Sequence, residues 1–365
     1  MNSPLDNVPG YQTIRVTTPQ MWEAARSDEQ AWRARGAYPD LCFAGGPAFG
    51  VAHEREQGGW QLHRLLSAPF PQDARESMGA HFRLLARDHP EDSAARAECL
   101  HAAERLDWEA VYEMTVLGTR YRVVRADQFI RSGPYGPEPP RPADPDPGEP
   151  GQAHGLPDPA EGFVIDPVIP AGMSEGMLTL ELLDSMRQRG SVPPEVREDL
   201  ARAARTDPGG VLLPAAFIVG ELRRGRWGPV QVTGLPTPQA ARDGLVSHLR
   251  VWIPYELDLD PGQRAAYAAA ADTVEAERAD EVTVAGRRFR IVRVERLVRI
   301  GPDGPEGPRP SDPDPQPPVM VQVQQSPGDG EQDEDKAIEL GEDAKRLARL
   351  VHEEEARLKG CRANS

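Results

Sequence analysis

Apolar and polar residues alternate with the period of a β-strand in two similar stretches of the chain. EMTVLGTRYRVVRA (113–126) and EVTVAGRRFRIVRV (281–294) place apolar side chains on one face and mainly arginine or threonine on the other. A glycine, Gly118 or Gly286, lies inside each stretch, where a tight turn needs a residue with a positive φ. The pattern therefore predicts two β-hairpins.

The segments upstream of these hairpins combine another hairpin pattern with helical periodicity. FGVAHEREQGGWQL (49–62) and FIVGELRRGRWGPVQV (217–232) are apolar runs that lead through a glycine-containing turn to tryptophan. Helices are then predicted to open at Pro-Gln in PQDAR (71–75) and PQAAR (238–242), and an alanine-rich helix follows each of them. The apolar face of the first helix is formed by Ala74, Met78, Phe82 and Leu85.

These similarities indicate an internal duplication. Residues 115–147 and 283–315 are identical at 20 of 33 positions without a gap, and weaker matches extend the units to 43–147 (repeat 1) and 211–315 (repeat 2). Each repeat predicts the order ββααββ. We therefore expect an α+β protein of two such units, related by an approximate two-fold axis. Each unit would carry two helices on one face of a four-stranded antiparallel sheet, with the other face open to solvent.

Each repeat ends in a proline-rich strap, strap 1 (134–147) and strap 2 (302–315). Prolines recur three residues apart in both, and polyproline II has three residues per turn, so these prolines line one edge of such a helix. Because each strap keeps a fixed distance from its hairpin, we expect it to pack on aromatic rings of its own repeat. The alternative is that the straps are ligands for SH3-like or WW-like protein modules.

The remaining segments complete the predicted organisation. YQTIRVT (11–17) is a candidate strand, and a helix is predicted from Thr18-Pro19 to about residue 34. Its buried side chains are expected to be Met21, Trp22, Ala25 and Trp32. A polar, acidic stretch at 324–337 predicts disorder, and an amphipathic helix at 338–358 is expected to dock on the body or on a protein partner. The predicted divisions are a first unit with its helix and strap (1–147), a Gly/Pro-rich linker (148–170), a second unit with two preceding helices and its strap (171–318), and an acidic linker with a C-terminal helix (319–365).

Composition narrows the class of protein. The chain has 365 residues, a net charge of −16 and a pI of about 5, which argue against general binding to nucleic acids or anionic membranes. No apolar run reaches the roughly 20 residues of a membrane span, and the N-terminus lacks the pattern of a signal peptide. Cys42, Cys99 and Cys361 are too widely spaced for a disulfide framework or a metal site. We expect a soluble cytoplasmic protein without a cofactor.

One motif suggests catalysis. GMSEG (172–176) matches the G-x-S-x-G pattern, follows a candidate strand and precedes a helix, so Ser174 is a candidate nucleophile of a serine hydrolase. However, the chain lacks the series of βαβ units that builds the sheet of such enzymes, and Pro170 interrupts the strand. The interpretation we favour is that Ser174 caps the following helix.

Two histidines, His81 and His248, occupy equivalent helix positions in the two repeats. A symmetric pair of histidines would suit acid–base chemistry or metal binding. Neither has a second ligand one helical turn away, so the spacing of a helical metal site is absent. We favour half-buried, hydrogen-bonded histidines.

Arginines alternate with apolar residues in both predicted hairpins. The two rows consist of Arg120, Arg122 and Arg125 in repeat 1 and Arg288, Arg290 and Arg293 in repeat 2. A guanidinium row on an open sheet face suits phosphate groups or nucleic acid. Every basic residue before Lys336 is arginine, which indicates high-GC codon usage rather than selection for guanidinium chemistry. Given the net charge, we favour pairing with the chain's own carboxylates, including Asp144, Asp146, Asp312 and Asp314.

The run LDWEAVYEMTVLGTRYRVVRADQFIRSGPYGPEPPRPADPDP (106–147), together with GMSEG and HLRVW (248–252), resembles a family of uncharacterised actinobacterial proteins of unknown function. The resemblance covers about residues 10–318. It implies a cytoplasmic protein but no activity, cofactor or site residue. We therefore expect a non-catalytic binding or scaffold protein. The alternatives are a serine hydrolase using Ser174 and a phosphate- or nucleic-acid-binding protein using the arginine rows, and a protein partner would contact the C-terminal helix or the straps.

Overall fold

The computed structural model describes residues 9–18, 21–63, 66–89, 93–152, 158–185, 192–231, 233–257, 259–325 and 341–363. The fold is mixed α/β. Its strands are β1 (Asp40–Phe43), β2 (Ala48–Glu54), β3 (Trp60–Leu62), β4 (Glu113–Val116), β5 (Thr119–Gly133), β6 (Gly136–Pro137), β7 (Val164–Ile165), β8 (Gly209–Arg223), β9 (Arg226–Pro229), β10 (Glu281–Val284), β11 (Arg287–Gly301) and β12 (Gly304–Pro305). Its helices are α1 (Trp22–Ala37), α2 (Pro71–Arg87), α3 (Ala94–Trp108), α4 (Met173–Ser185), α5 (Pro194–Thr206), α6 (Pro238–Ser247), α7 (Ile253–Glu256), α8 (Pro261–Glu277), α9 (Val319–Gln325) and α10 (Glu342–Ala363), with a 3-10 turn at Gly10–Gln12 and a π-helical stretch at His248–Trp252.

The two repeats share one antiparallel sheet. Its strand order is β7-β3-β2-β5-β11-β8-β9, and β5 and β11, the last long strand of each repeat, pair directly at its centre. Arg296 lies opposite Gln128 in this pairing, and these two residues hold equivalent positions in repeats 168 residues apart. The four strands expected of each unit therefore form parts of one continuous sheet.

Local sequence signals placed most elements correctly. The helices predicted to open at Pro-Gln begin at Pro71 and Pro238. Gly118 and Gly286 have the predicted positive φ, 77° and 75°. The residue before each glycine also has a positive φ, because these two-residue turns must match the right-handed twist of their strands. The hairpins of the two arginine rows are thus formed as the alternation predicts.

Helices cover one face of the sheet, but the opposite face is buried as well. α2 and α3 pack on Phe49, Val51 and Val123, and the helices of repeat 2 pack on the equivalent residues of β8 and β11. Val124 and Ala126 point away from α2 and are nevertheless fully buried, in a second core with Leu62 and Ile165. As far as the described residues show, the sheet therefore lacks the open face that the arginine rows were expected to occupy.

Strap 2 lies on repeat 1. The backbone N–H of Arg125 donates to the carbonyl oxygen of Glu306 at 3.0 Å, and its guanidinium donates to Asp312 at 2.9 Å. The turn that begins this strap places Gly304 against the indole of Trp60 in β3. All three contacts join residues of different repeats.

Strap 1 lies on repeat 2 through the matching contacts. The backbone N–H of Arg293 donates to the carbonyl oxygen of Glu138 at 2.9 Å, and its guanidinium donates to Asp144 at 3.0 Å. The expectation that each strap packs on its own repeat is therefore wrong. β5 and β11 are 15 residues long, about 50 Å at 3.3 Å per residue, so each strand carries its strap beyond its own helices to those of the other repeat.

The two ends of the chain also differ from expectation. The stretch 11–17 forms a 3-10 turn and one bridge, Val16 to Ala171, rather than a strand. Met21, Trp22 and Trp32 are 66%, 68% and 55% exposed, so the prediction that α1 buries them is wrong. The predicted disordered stretch 324–337 lies almost entirely outside the described residues.

The C-terminal helix α10 packs on the chain's own body. Arg250 of the π-helical stretch forms an ion pair with Glu354, and Arg357 bonds to Glu275 of α8 at 2.6 Å. This is the first of the two arrangements expected for a helix at 338–358. None of the described helices combines the length and the apolar character that crossing a membrane requires.

Candidate ligand-binding cavity

A cavity of about 480 Å³ lies where α1, the start of α4, β8 and β11 meet. Its polar lining comes from Thr17, Ser27, Asp28, Arg141, Ser174, Glu175, Arg293 and Glu295. Leu178, Leu212, Leu213 and Phe163 supply apolar wall. The cavity thus brings together one predicted candidate nucleophile, Ser174, and one residue of the arginine rows, Arg293.

The start of α4 is held by α1. The Asp28 carboxylate accepts a hydrogen bond from the backbone N–H of Ser174 at 2.8 Å, and the Ser174 hydroxyl donates to the carbonyl oxygen of Asp28 at 2.9 Å. Ser174 is the second residue of α4 rather than its cap, so the capping prediction is wrong in detail. The capping carboxylate comes from a different helix, since any acceptor with suitable geometry satisfies a free N–H at a helix start.

The glycines of GMSEG allow this close packing. A Cβ at Gly172 would lie 2.8 Å from Asp28 Oδ1, and one at Gly176 would lie 2.8 Å from Val16. Real Cβ atoms do not approach neighbours so closely, so a larger residue at either position would have to displace the side chain of Asp28 or Val16. Packing against α1 and the N-terminal segment therefore accounts for the residues that made the motif resemble a nucleophile elbow.

The two guanidiniums of the cavity are bound by carboxylates of strap 1 and β11. Arg141 bonds to Glu138 at 2.6 Å and to Glu295 at 3.0 Å. Arg293 bonds to Asp144 at 3.0 Å and also pairs with Glu295. Burial alone would raise the pKa of Glu295, but Arg293, Arg141 and Arg131 outweigh it and hold that pKa below its usual range. These groups form a fixed wall and leave little positive charge for an anionic ligand.

Glu175 is the carboxyl that the fold leaves open to the cavity. Among the described residues, no arginine, lysine or histidine forms an ion pair with it. Its side chain keeps access to solvent, yet the protein around it limits hydration and raises the pKa of its carboxyl, and Glu295 and Asp28 add to the rise.

The remaining residues of the arginine rows are paired within the chain. Arg120 and Arg122 bond to Glu113 and Asp303 and lie over the Trp60 ring. Arg125 pairs with Asp127 and Asp312. Arg288 and Arg290 bond to Glu281 and lie over the Trp227 ring. Through Asp303 and Asp312, the arginines of repeat 1 therefore join their hairpin to strap 2.

The predicted histidines lie on helical segments of their own repeats, His81 on α2 and His248 in the π-helical stretch. His248 contacts Phe289 at a ring separation of 5.8 Å. Burial, followed by the nearby charge of Arg287, lowers the pKa of His248 to about 4. His81 lies beside Tyr121 and a further histidine, His63. No histidine is among the described residues that line the cavity, so the base that a Ser174 nucleophile requires is missing there.

Sequence reasoning missed most of the cavity. The sequence does not indicate Asp28 or Glu175 as site residues, because a carboxylate on a polar helix face is typical of a solvated surface. Glu175 lies inside GMSEG, next to the residue that was singled out. Arg141 and Glu295 lie in the two similar stretches 115–147 and 283–315, which marked both as structurally important. Their contact with each other depends on the exchange of the straps.

The fold and the cavity define a mixed α/β protein with a polar chamber beside a single antiparallel sheet. Residues 23–315 match the family of unknown function DUF5954, and the chain belongs to this family. The matched region includes both repeats, both straps and α4. No curated protein matches the chain, and no solved structure matches it.

Proposed function

We propose that this protein is a non-catalytic binding protein built on an internal duplication, and that the cavity between α1, α4, β8 and β11 is its ligand site. The observation that carries the proposal is the cavity itself. Its volume of about 480 Å³ falls within the range of roughly 300–1,000 Å³ usual for small-molecule sites. Its walls belong to helices, strands and an ion-paired strap, so the site is preformed.

The position of the cavity supports this proposal. Within the residues that the structure describes, α4 and the N-terminal bridge to Ala171 have no counterpart in the other half of the chain. The matching place beside strap 2 has a smaller depression of about 310 Å³, lined by α5 and Glu306 to Pro310. We infer an approximate two-fold axis through Gln128 and Arg296, with function placed where the symmetry is broken.

The lining selects the chemical class of the ligand. Arg141 and Arg293 are neutralised by strap carboxylates, and Asp28 occupies the N-terminus of α4, where an anion would otherwise bind. Phosphate and carboxylate ligands are therefore disfavoured. Asp28, Glu175 and nearby hydroxyls suit a small molecule that presents hydroxyl or amino groups, because these donate hydrogen bonds to carboxylates.

The test is a ligand screen with a cavity-filling variant. Polyols, amines, amino acids, nucleosides and phosphorylated sugars are screened by thermal shift, and hits are measured by calorimetry. Ala24→Trp introduces an indole into the cavity and should abolish binding. Ala25→Trp changes the next, exposed residue of α1, which does not line the cavity, and should leave binding intact. Binding that survives Ala24→Trp, or hits confined to phosphorylated compounds, would contradict the proposal.

A further inference from the structure

Three of the chain's eight histidines meet at one place in repeat 1, away from the cavity. His53 is near the end of β2, His63 directly follows β3, and His81 lies on α2. Nδ1 of His53 and Nε2 of His63 are hydrogen-bonded to each other at 3.0 Å. The His63 and His81 ring centroids are 4.1 Å apart, and all three rings lie within 6.0 Å of the Tyr121 ring.

Repeat 2 shows that the fold does not need this cluster. Glu221 pairs with Phe289 in the sheet as His53 pairs with Tyr121. Val230 donates its N–H to Val219 as His63 donates to Val51, so Val230 takes the place of His63. Of the three histidines, only His81 has a histidine at its equivalent position, His248. Repeat 2 thus folds with glutamate and valine at the positions of His53 and His63. Packing alone therefore does not account for the two additional imidazoles of repeat 1.

We propose that His53 and His63 form a chelating pair for a divalent late transition metal ion, with copper(II) preferred. Imidazole nitrogens bind such ions at about 2.0–2.1 Å. Two nitrogens on adjacent corners of a square or octahedron are then about 2.9 Å apart, whereas adjacent tetrahedral ligands are about 3.3 Å apart. A bound ion would replace the proton that the two nitrogens share at 3.0 Å, a separation that lies between these two values. Copper(II) is preferred because it stands highest in the general order of divalent-metal affinity.

The backbone around the pair supports a metal at this place. The strands that carry the pair are fixed by the ladder between β2 and β3. Within the described residues no group of three or more histidine, cysteine, aspartate or glutamate side chains is positioned to surround a metal ion. Solvent would therefore supply the remaining ligands of the ion. His81 would lie beside the coordinated imidazole of His63.

The experiment titrates the full chain with copper(II), nickel(II), zinc(II) and magnesium(II) chlorides, followed by calorimetry, with electron paramagnetic resonance for copper. We expect one copper site per chain with two coordinated imidazoles, affinities in the order copper, nickel, zinc, and no binding of magnesium. His53→Gln and His63→Gln should each lower copper affinity at least tenfold. His248→Gln is the matched control in repeat 2 and should leave it unchanged.

Two results would overturn the proposal. One is a wild-type chain without a stoichiometric copper site. The other is copper bound equally well by the His53→Gln/His63→Gln double variant, which would place the ion on other histidines such as His89 or His101. Circular dichroism establishes that each variant is folded. The imidazole count in the wild-type spectrum tests the proposal even if a variant does not fold.

Discussion

Asp314, at the end of strap 2, accepts a hydrogen bond at 2.8 Å from the guanidinium of Arg75 on α2 of repeat 1. The same carboxylate accepts the N–H of Gln72, in the first turn of α2, at 3.0 Å. Asp146 of strap 1 bonds to Arg242 and to the N–H of Gln239 in the same way, both at 2.8 Å. Each strap thus places a negative charge at a helix N-terminus of the other repeat, where the helix dipole stabilises it.

Replacing Asp314 with alanine should destabilise the protein by about 2–4 kcal/mol, because it leaves a buried guanidinium and a helix N–H without their acceptor. The Arg75 side chain is 1% exposed and that of Asp314 is 20% exposed, so solvent compensates only partly. Asp107→Ala removes the partner of Arg83, which is 44% exposed, and should cost less than about 1 kcal/mol. The free energy of unfolding in urea measures both. Equal effects would mean that strap 2 is not anchored at Asp314.

Replacing Gly304 with alanine should destabilise the protein by about 3 kcal/mol or more. Its φ is +108°, and an added Cβ would meet the Trp60 indole, with 2.7 Å to Cε2. Trp60 is buried and cannot move aside. Gly58 separates the two causes, because its φ is +91° but the space around it is open. Gly58→Ala should therefore show only the backbone strain of about 1–3 kcal/mol. If the two variants unfold at the same urea concentration, the contact between strap 2 and Trp60 is not part of the stability.

Local elements were predictable from the sequence because their causes are local. Pro-Gln helix starts, turn glycines and alternating strands depend on residues within one or two turns of each other. The exchange of straps was not predictable in this way. Asp312 is close in sequence to Arg309 and far from Arg125, and nothing in the spacing tells which arginine it will meet. That outcome depends on the pairing of β5 with β11, which is a long-range relationship.

The prediction that α1 buries its tryptophans was wrong for a related reason. An apolar stripe at helical spacing predicts a buried face, but it does not say which neighbour covers it. In this fold α1 contacts α4 through polar pairs, Asp28 with Ser174 and Arg35 with Glu181, while Trp22 and Trp32 remain exposed. The cavity between these helices depends on the same long-range contact, so local sequence patterns could not predict it either.

Replacing Asp28 with alanine should destabilise the protein by about 1–2 kcal/mol, the usual effect of losing a helix-capping carboxylate. Ser174→Ala removes only the hydroxyl bond to the Asp28 carbonyl and should cost about 1 kcal/mol. Ser27→Ala changes a neighbouring, exposed residue of the cavity lining and should have little effect. Thermal unfolding of the three variants checks this order. A larger loss in Ser174→Ala than in Asp28→Ala would show that the hydroxyl, and not the carboxylate, holds α4.

Lowering the pH from 7.5 to 5 should weaken the protein through His248. Its pKa falls from 6.5 in the unfolded chain to about 4 in the fold, because it is buried and faces Arg287 and Arg223, against the single opposing carboxylate of Glu221. The unfolded state therefore binds the proton first, so the stabilisation is complete above pH 6.5 and is lost as the pH falls towards 4. The shift corresponds to about 2 kcal/mol at pH 5 and about 3 kcal/mol in full.

In urea unfolding at pH 7.5, 6 and 5, His248→Leu should flatten this dependence, whereas His101→Gln, at an exposed site on α3, should not. The range stops at pH 5 so that protonation of carboxylates, which begins near their unfolded pKa of about 4, does not add to the loss. An unchanged slope in His248→Leu would assign the acid sensitivity to other groups, with the His53 and His63 pair the next to test.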